Sequence, residues 1–266
     1  MFDYLRIVDE IHPPFFIMEN VRGILSAALS HTKFTDGYKR TGRAEYGTVL
    51  RELNRRFSEM GYTVTAELVN AADYGVPQKR ERVIFLGSRD GFQMSMPAGG
   101  FGPSESPFLS PWRTLRDALT DMDETEPEYL PYAQSRIRFF ELLKAGQNWR
   151  QLPEPLQKEA LGGAWNSSGG RVGFFRRLAW DEPAPTVPTS PIQKSTALCH
   201  PASVRPLSVQ EYARIQQFPD DWHFSGRTED KYRQIGNAVP VGLGYAIGRT
   251  ILKYAQNYYP IEEIHE

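Results

Sequence analysis

The sequence lacks several features that would place it outside the soluble globular proteins. It holds one cysteine, which excludes an intramolecular disulfide and favours a reducing compartment. No apolar run is long enough to cross a bilayer, so no membrane partner is expected. The N-terminus has acids among its apolar residues and no small-residue cleavage site, which argues against a signal peptide. The 266 residues suffice for one large domain or two modest ones.

A strong net charge is also absent, since the formal charge is −1. Small nucleic-acid-binding modules are usually basic, so the total charge alone does not indicate such a partner. The charge is segregated, however: residues 113–130 carry −4 and residues 134–180 carry +5. In the second stretch arginines alternate with aromatic residues. It is either a phosphate-contacting face or a solvated surface.

Local patterns in residues 1–90 predict part of an α/β sheet. Residues 15–18 are apolar throughout, which suits a strand buried on both faces of a parallel sheet. Three strands with one crossover helix cannot cover both faces of such a sheet, so this segment is expected to form half of a domain. The predicted helices are 1–11 and about 49–60, and the other predicted strands are 62–69 and 82–87.

The rest of the chain is expected to form two further regions. Glycine and proline become dense after Asp90, so residues 91–204 are predicted to be a separate, loop-rich region. Residues 205–266 regain regularity. There Ser208 and Glu211 fit a capping box that opens a helix through Phe218, and Pro240 fits the start of a last helix.

Two segments of the first region carry candidate chemistry. Glu19 follows the buried strand, where ligands bind in open α/β sheets, although it could simply cap the next helix. In Gln-Lys-Arg-Glu-Arg (78–82), a strand starting near Arg80 would point Arg80 and Arg82 to one face. These two cations could orient a base and hold a phosphate, or they could be solvated charges on an edge strand.

Two later segments are individually less informative. Residues 205–219 read as a capped amphipathic helix with a structural role. In Gln-Ile-Gly-Asn-Ala-Val-Pro (234–240), Gly-Asn before a helix would offer free backbone N–H groups that could receive a carboxylate. The alternative is an ordinary helix start.

The order of these four segments resembles that of the cytosine-C5 DNA methyltransferases. Pro-x-x-x-x-Glu-Asn-Val, Gln-x-Arg-x-Arg, a variable region, Arg-Pro-Leu-Ser-x-x-Glu and Gly-Asn-Ala-Val-Pro follow one another as in that family. Residues 180–187 and 200–201 are similar to the end of its target-recognition region. The resemblance implies an α/β fold: a partial Rossmann-like methyltransferase sheet plus a smaller, loop-rich target-recognition domain.

The resemblance also implies a reaction and roles for individual residues. In this family a thiolate attacks C6 of a flipped-out cytosine, C5 then takes the methyl group of S-adenosylmethionine, and a base finally removes the C5 proton. Glu19 matches the carboxyl group that meets the N3 and N4 edge of cytosine, and Arg82 matches the residue that holds O2. Arg80 matches the residue that supports the catalytic loop and a nearby phosphate. Asn237 and Ala238 match positions at the methionine end of the cofactor.

The resemblance implies double-stranded DNA as partner and a bacterial or phage origin with a cytoplasmic location; no metal ligand is expected. DNA contact is expected mainly in residues 91–200. The candidate DNA-binding residues are Arg136, Arg138, Arg171, Arg176 and Arg177.

The sequence departs from the family pattern in three respects. It contains no Pro-Cys-Gln nucleophile, no cofactor glycine loop and no acidic ribose ligand. Its one cysteine, Cys199, aligns with no catalytic position, and an adjacent Cys199–His200 pair would point to opposite faces of an extended chain. Cys199 is therefore expected to be buried.

Two functions remain open at this point. The chain could be one subunit of a split methyltransferase or a fragment of a full-length one, inactive without an N-terminal piece that carries the thiol, and it is expected to self-associate or to bind that piece. It could instead be a non-catalytic DNA-binding remnant or regulator.

Overall fold

The computed structural model describes residues 2–28, 47–122, 125–167 and 171–258. The chain forms two compact units: Met1–Asn70 with Glu81–Gly99 and Gly244–Glu266, and Ala71–Arg80 with Gly100–Leu243. The boundaries expected from the sequence lay near residues 90 and 204. In the structure the short segment 71–80 belongs to the second unit, and most of the last helix belongs to the first.

Helices and short strands make up the described chain. The helices are α1 (Phe2–Ile11), α2 (Thr48–Glu59), α3 (Leu115–Leu119), α4 (Gln134–Glu141), α5 (Glu154–Leu161), α6 (Val209–Ile215), α7 (Thr228–Asn237) and α8 (Val241–Tyr258). The strands are β1 (Phe15–Val21), β2 (Thr63–Asn70), β3 (Gln78–Lys79), β4 (Glu81–Ser88), β5 (Phe101–Gly102), β6 (Ser110–Pro111) and β7 (Ala184–Pro185). The α/β class predicted from the sequence is confirmed.

The sheet of the first unit has the order β1-β4-β2, and β4 runs antiparallel to both neighbours. The expectation of a parallel strand buried on both faces at residues 15–18 is therefore wrong. β4 is the strand buried on both faces, from Val83 to Ser88. β1 lies at the edge of the described sheet and packs one face only: Phe16 and Met18 are buried, whereas Ile17 is 38% exposed.

The core of the first unit lies between one face of this sheet and helices α1 and α2. Phe16 and Met18 join Leu5 of α1 and Phe57 of α2 in one apolar cluster. The rings of Phe16 and Phe57 stack with centroids 4.5 Å apart. Gly87 permits this packing, because a Cβ there would lie 2.1 Å from Cε1 of Phe16. The close approach therefore requires glycine.

The second unit contains two apolar clusters and little sheet. One cluster joins α3, α6 and α7, and the other gathers around α4 and α5. The capping box predicted at Ser208 is present, since Ser208 Oγ accepts the amide of Glu211 and Glu211 accepts the amide of Ser208. α6 ends at Ile215, three residues before the predicted end, because Gln217 adopts a left-handed φ of 63°. None of the described helices combines the length and apolarity needed to span a membrane.

Candidate active site and DNA interface

Glu19 of β1 and Arg82 of β4 form an ion pair in the first unit. Nε of Arg82 lies 2.6 Å from Oε1 of Glu19. The strand register explains the pair. Glu19 lies opposite Ile84, and Arg82 lies two residues before Ile84 in β4, on the same face and diagonal to Glu19. The sequence thus identified two side chains that the fold brings into contact.

The ion pair is largely but not wholly removed from water. The side chains of Arg82 and Glu19 are 11% and 26% exposed. Burial lowers the pKa of the Arg82 guanidinium below its usual value, and the charge of Glu19 and its hydrogen bond oppose that shift. The adjacent Glu19 thus favours the charged form of the guanidinium, which burial disfavours. The ion pair therefore presents a positioned cation and a carboxylate that a ligand can still reach.

Arg80 lies in the second unit and is 2% exposed. Its Nη2 donates to the carbonyl oxygens of Gly236 and Ala238, at 3.0 and 3.1 Å. Its Nη1 donates to the carbonyl oxygen of Val187 at 3.3 Å. The hydrogen bonds of Arg80 thus link the segment 236–238 to Val187, which lies far from that segment in the sequence.

Two buried glutamines complete this polar cluster. Gln216 donates through Nε2 to the carbonyl oxygens of Ile235 at 2.7 Å and Ala238 at 3.1 Å. Gln78 donates to Oε1 of Gln216 at 2.9 Å and accepts the amide of Val187 at 3.0 Å. Buried polar groups are costly unless they are paired, so this network fixes one conformation of the segment after α7.

Asn237 ends α7, and Ala238 follows it as the C-cap. The first amides of α8 are not free, contrary to the expectation for this segment. The amide of Val241 donates to the carbonyl oxygen of Gln216, and that of Gly242 donates to Oε1 of Gln217, both at 3.0 Å. The side chain of Asn237 is exposed and has no hydrogen-bond partner among the residues that the structure describes. The carboxamide of Asn237 is therefore available to a ligand.

Four of the five candidate DNA-binding arginines have guanidinium groups that contact other parts of the second unit. Arg136 is buried and donates to the carbonyl oxygen of Ile192 at 2.5 Å, and Arg138 pairs with Glu159. Arg171 donates to the carbonyl oxygens of Ala164 and Trp165. Arg177 donates to those of His200, Phe140 and Leu143. The assignment of these four residues as DNA contacts stays a prediction.

Arg176 differs from the other four arginines. No hydrogen bond or ion pair of its guanidinium is found within the described part of the chain, and its Nε is buried. Burial lowers the pKa of Arg176 below its usual value. Its side chain lines an open cavity of about 440 Å³.

Cys199 is fully buried, as expected. Burial raises the pKa of its thiol to about 11. His200 cannot serve as its base, because Nδ1 accepts the amides of Ala202 and Ser203 at 3.1 and 3.0 Å and Nε2 faces Glu211. A nucleophilic role for Cys199 has no support in this geometry. Among the described residues no three His, Cys, Asp or Glu side chains gather as a metal site.

Sequence reasoning missed Gln78 and Gln216. Neither residue type suggests chemistry by itself, and the contact between them joins positions 138 residues apart. For Gln78, the sequence feature that could have indicated a role is its position at the start of the Gln-x-Arg-x-Arg segment. Gln216 carried no comparable signal, since it follows an amphipathic helix that reads as structural.

Known proteins match nearly the whole chain. The sequence model of the family described as C-5 cytosine-specific DNA methylase matches residues 1–253. The Type II methyltransferase M.Eco47II of Escherichia coli is 38% identical over 94% of this chain and 56% of its own length. The Type II methyltransferase M.Sau96I of Staphylococcus aureus is 36% identical over 97% of this chain and 55% of its own length. The chain thus spans about half the length of these curated relatives.

Solved structures support the fold alone, because their identities to this chain are low. A prophage-encoded DNA modification methyltransferase of Escherichia coli is 22% identical with a TM-score of 0.53, covering 94% of this chain and 73% of its own. The Dnmt2 methyltransferase of S. pombe is 15% identical with a TM-score of 0.50, covering 96% of this chain and 72% of its own.

Proposed function

Because the chain belongs to the C-5 cytosine-specific DNA methylase family, we propose that it forms part of a DNA (cytosine-5)-methyltransferase of a restriction-modification system. The reaction is methyl transfer from S-adenosylmethionine to C5 of a cytosine flipped out of a specific duplex sequence. The observation that carries the proposal is the contact of 2.6 Å between Glu19 and Arg82, which places an acid and a cation side by side on one sheet face.

Glu19 activates the cytosine ring in this proposal. Nucleophilic attack at C6 puts negative charge on the ring, and Glu19 relieves that charge when its carboxylate takes up a proton from solvent and donates it to N3. Arg82 holds the O2 oxygen, where further charge develops. The ion pair orients both side chains before the base enters, so little reorganisation accompanies the reaction.

S-adenosylmethionine supplies the methyl group when it is bound. Asn237 has an exposed carboxamide that fits the amino acid end of that cofactor, with the neighbouring Ala238 beside it. Arg80, Gln78 and Gln216 hold the backbone that carries Asn237 and Ala238. These residues form only part of a cofactor pocket, because the family's glycine loop and acidic ribose ligand are absent from the sequence.

The thiol must come from another polypeptide or from a further part of the same protein. Cys199, the single cysteine of the 266 residues, is buried with a raised pKa. The outer edge of β1 is the surface to which a complementary segment would bind. On the face of β1 that also carries Glu19, Ile17 and Val21 are 38% and 54% exposed, and an exposed strand edge beside apolar side chains favours pairing with another strand. The chain alone is therefore inactive in this proposal.

Co-expression with the N-terminal portion of the M.Eco47II relative tests the proposal. The product would be 5-methylcytosine in the host DNA, located by bisulfite sequencing. Methylation at a defined sequence only when both polypeptides are present is the expected result. A complex that forms and binds DNA but never methylates it would favour a non-catalytic DNA-binding remnant.

A further inference from the structure

Gln217 follows helix α6 in a backbone conformation that glycine usually adopts, with a φ of 63°. Its amide donates to the carbonyl oxygen of Arg214 at 2.9 Å, and the amide of Phe218 donates to that of Ala213, also at 2.9 Å. These two hydrogen bonds close the helix as a Schellman motif, in which the left-handed residue is most often glycine because a side chain there is strained. The backbone of this turn therefore gives no reason for glutamine.

The carboxamide of Gln217 supplies that reason. Its Nε2 donates to the carbonyl oxygen of Gly75 at 3.0 Å, and its Oε1 accepts the amide of Gly242 at 3.0 Å. One side chain thus uses both its donor and its acceptor to join two backbone segments that are far apart in the sequence. Gly75, Gln217 and Gly242 all belong to the second unit.

Gly242 is the second residue of α8, so its amide is one of those at a helix start that have no partner within the helix. A Cβ at this position would lie 2.4 Å from Oε1 of Gln217 and 3.3 Å from Cγ2 of Val76. The contact with the carboxamide therefore requires glycine at this position. The first turn of α8 is thus held against Gln217 and the turn that contains Gly75.

The first turn of α8 is connected to Ala238 by a short piece of chain, since α8 begins at Val241. Pro240 lies within this connection and restricts its backbone. The carbonyl oxygen of Ala238 accepts hydrogen bonds from Arg80 and from Gln216. The segment is therefore fixed by that polar cluster at one end and by the carboxamide of residue 217 at the other.

We infer that Gln217 is a positioning residue for the S-adenosylmethionine site, because its carboxamide fixes the first turn of α8 and thereby the place of Asn237. The inference rests on the proposed function for its ligand. Gln217 acts through the backbone and does not itself contact the cofactor. Without the carboxamide, the cofactor must order this segment as it binds, so its affinity falls.

Gln217→Gly, in the enzyme complemented with the N-terminal portion, tests the inference. Glycine adopts the left-handed turn without strain, so thermal unfolding should stay close to that of the wild type. The KM for S-adenosylmethionine should rise roughly tenfold with kcat and the KM for DNA nearly unchanged, because a contact that positions the bound cofactor acts equally on ground and transition states. Hydrogen exchange of the Gly242 amide should accelerate, since that amide loses its acceptor.

Asp121→Gly is the matched control for this substitution. Asp121 is an exposed residue of the second unit and also has a left-handed φ, of 57°. Its replacement should change neither KM value nor the exchange of the Gly242 amide.

Gly242→Ala disturbs the same contact from its other side, because the added Cβ displaces the carboxamide of Gln217. It should raise the KM for S-adenosylmethionine to a similar extent. In the double variant with Gln217→Gly, this KM should equal that of the single variants, since both changes break one link. KM changes that multiply would show that the two residues act independently, and the inference would be wrong.

Other outcomes separate this inference from the proposed function. In an active enzyme, an unchanged KM for S-adenosylmethionine in Gln217→Gly, or an equal rise for both substrates, overturns the inference. If the wild-type mixture never methylates DNA, the proposed function fails, and hydrogen exchange of the Ala238 and Gly242 amides then decides the role of Gln217. Faster exchange of both amides in Gln217→Gly but not in Asp121→Gly supports the positioning role, and unchanged exchange excludes it.

Discussion

Arg82 and Glu19 contact one another across two antiparallel strands, with Nε and Oε1 2.6 Å apart. Because they lie diagonally on one sheet face, each side chain limits the rotamers of the other. Arg82 is the more buried of the two and Glu19 keeps the larger exposed fraction, at 26%. In the proposed reaction Glu19 is thus the side chain that the incoming base reaches.

Glu19→Gln should reduce turnover of the complemented enzyme by about a hundred- to ten-thousand-fold, because the amide cannot supply the acid that activates N3. DNA affinity should change little. The measurement is single-turnover methyl transfer alongside duplex binding. Asp9→Asn on α1 is the matched control, since it removes one carboxylate charge at an exposed position away from the ion pair. A normal rate in Glu19→Gln would show that Glu19 has been assigned the wrong role.

Gln216→Leu should destabilise the chain and disturb the cofactor segment. The change removes one donor from the carbonyl oxygens of Ile235 and Ala238, and it leaves the buried Nε2 of Gln78 without its acceptor. Each buried group left unpaired costs about 1–3 kcal/mol. Thermal unfolding measures this cost, and in the complemented enzyme the KM for S-adenosylmethionine should rise more than that for DNA.

Gln210→Leu is the control for that experiment, because Gln210 is exposed on α6, the helix that Gln216 caps at its C-terminal end. It should leave unfolding and both KM values close to wild type. Equal KM changes for the two substrates in Gln216→Leu would mean that the network supports the fold generally and does not position Asn237.

Cys199 should resist alkylation in the folded chain. With a pKa of about 11, on the order of one thiol in a thousand is ionised at pH 8, and the side chain is buried. The labelling rate with iodoacetamide should rise as pH approaches 11 and should rise much further in urea. Fast labelling of the native chain at pH 7 would reopen the question of a reactive Cys199.

The exposed edge of β1 should cause association. Sedimentation velocity should detect self-association at high concentration, or tight binding to the complementary N-terminal portion. Ile17→Lys should weaken either association, because it places a charge on the exposed side of the edge strand. Val172→Lys, at an exposed site in the second unit, is the control. A wild-type monomer that ignores the complementary portion would contradict the half-domain interpretation.

Much of the secondary structure was predictable from the sequence, because it depends on local patterns. Helix α2, strand β4 and the Ser208 capping box lie where periodicity and capping residues predicted them. The strand directions were not predictable, since a continuous apolar run such as residues 15–18 does not specify its neighbours. The strand buried on both faces, from Val83 to Ser88, is β4, which lies between β1 and β2, two strands that are far apart in the sequence.

The candidate site was predictable only in part, for a similar reason. Glu19 and Arg82 meet because two strands pair in one register, and the order of motifs indicated both residues. The contacts of Arg80 depend on carbonyl groups more than 100 residues away. The amides at the start of α8 are occupied by groups of Gln216 and Gln217, which sequence spacing alone does not reveal.

Transfer of labelled methyl groups from S-adenosylmethionine to duplex DNA tests the central claim most directly. The chain, the N-terminal portion of the M.Eco47II relative, and their mixture are assayed side by side, with 5-methylcytosine identified by mass spectrometry. The account predicts methylation by the mixture and by neither polypeptide alone. Methylation by this chain alone would contradict it, because its one thiol is buried and protonated.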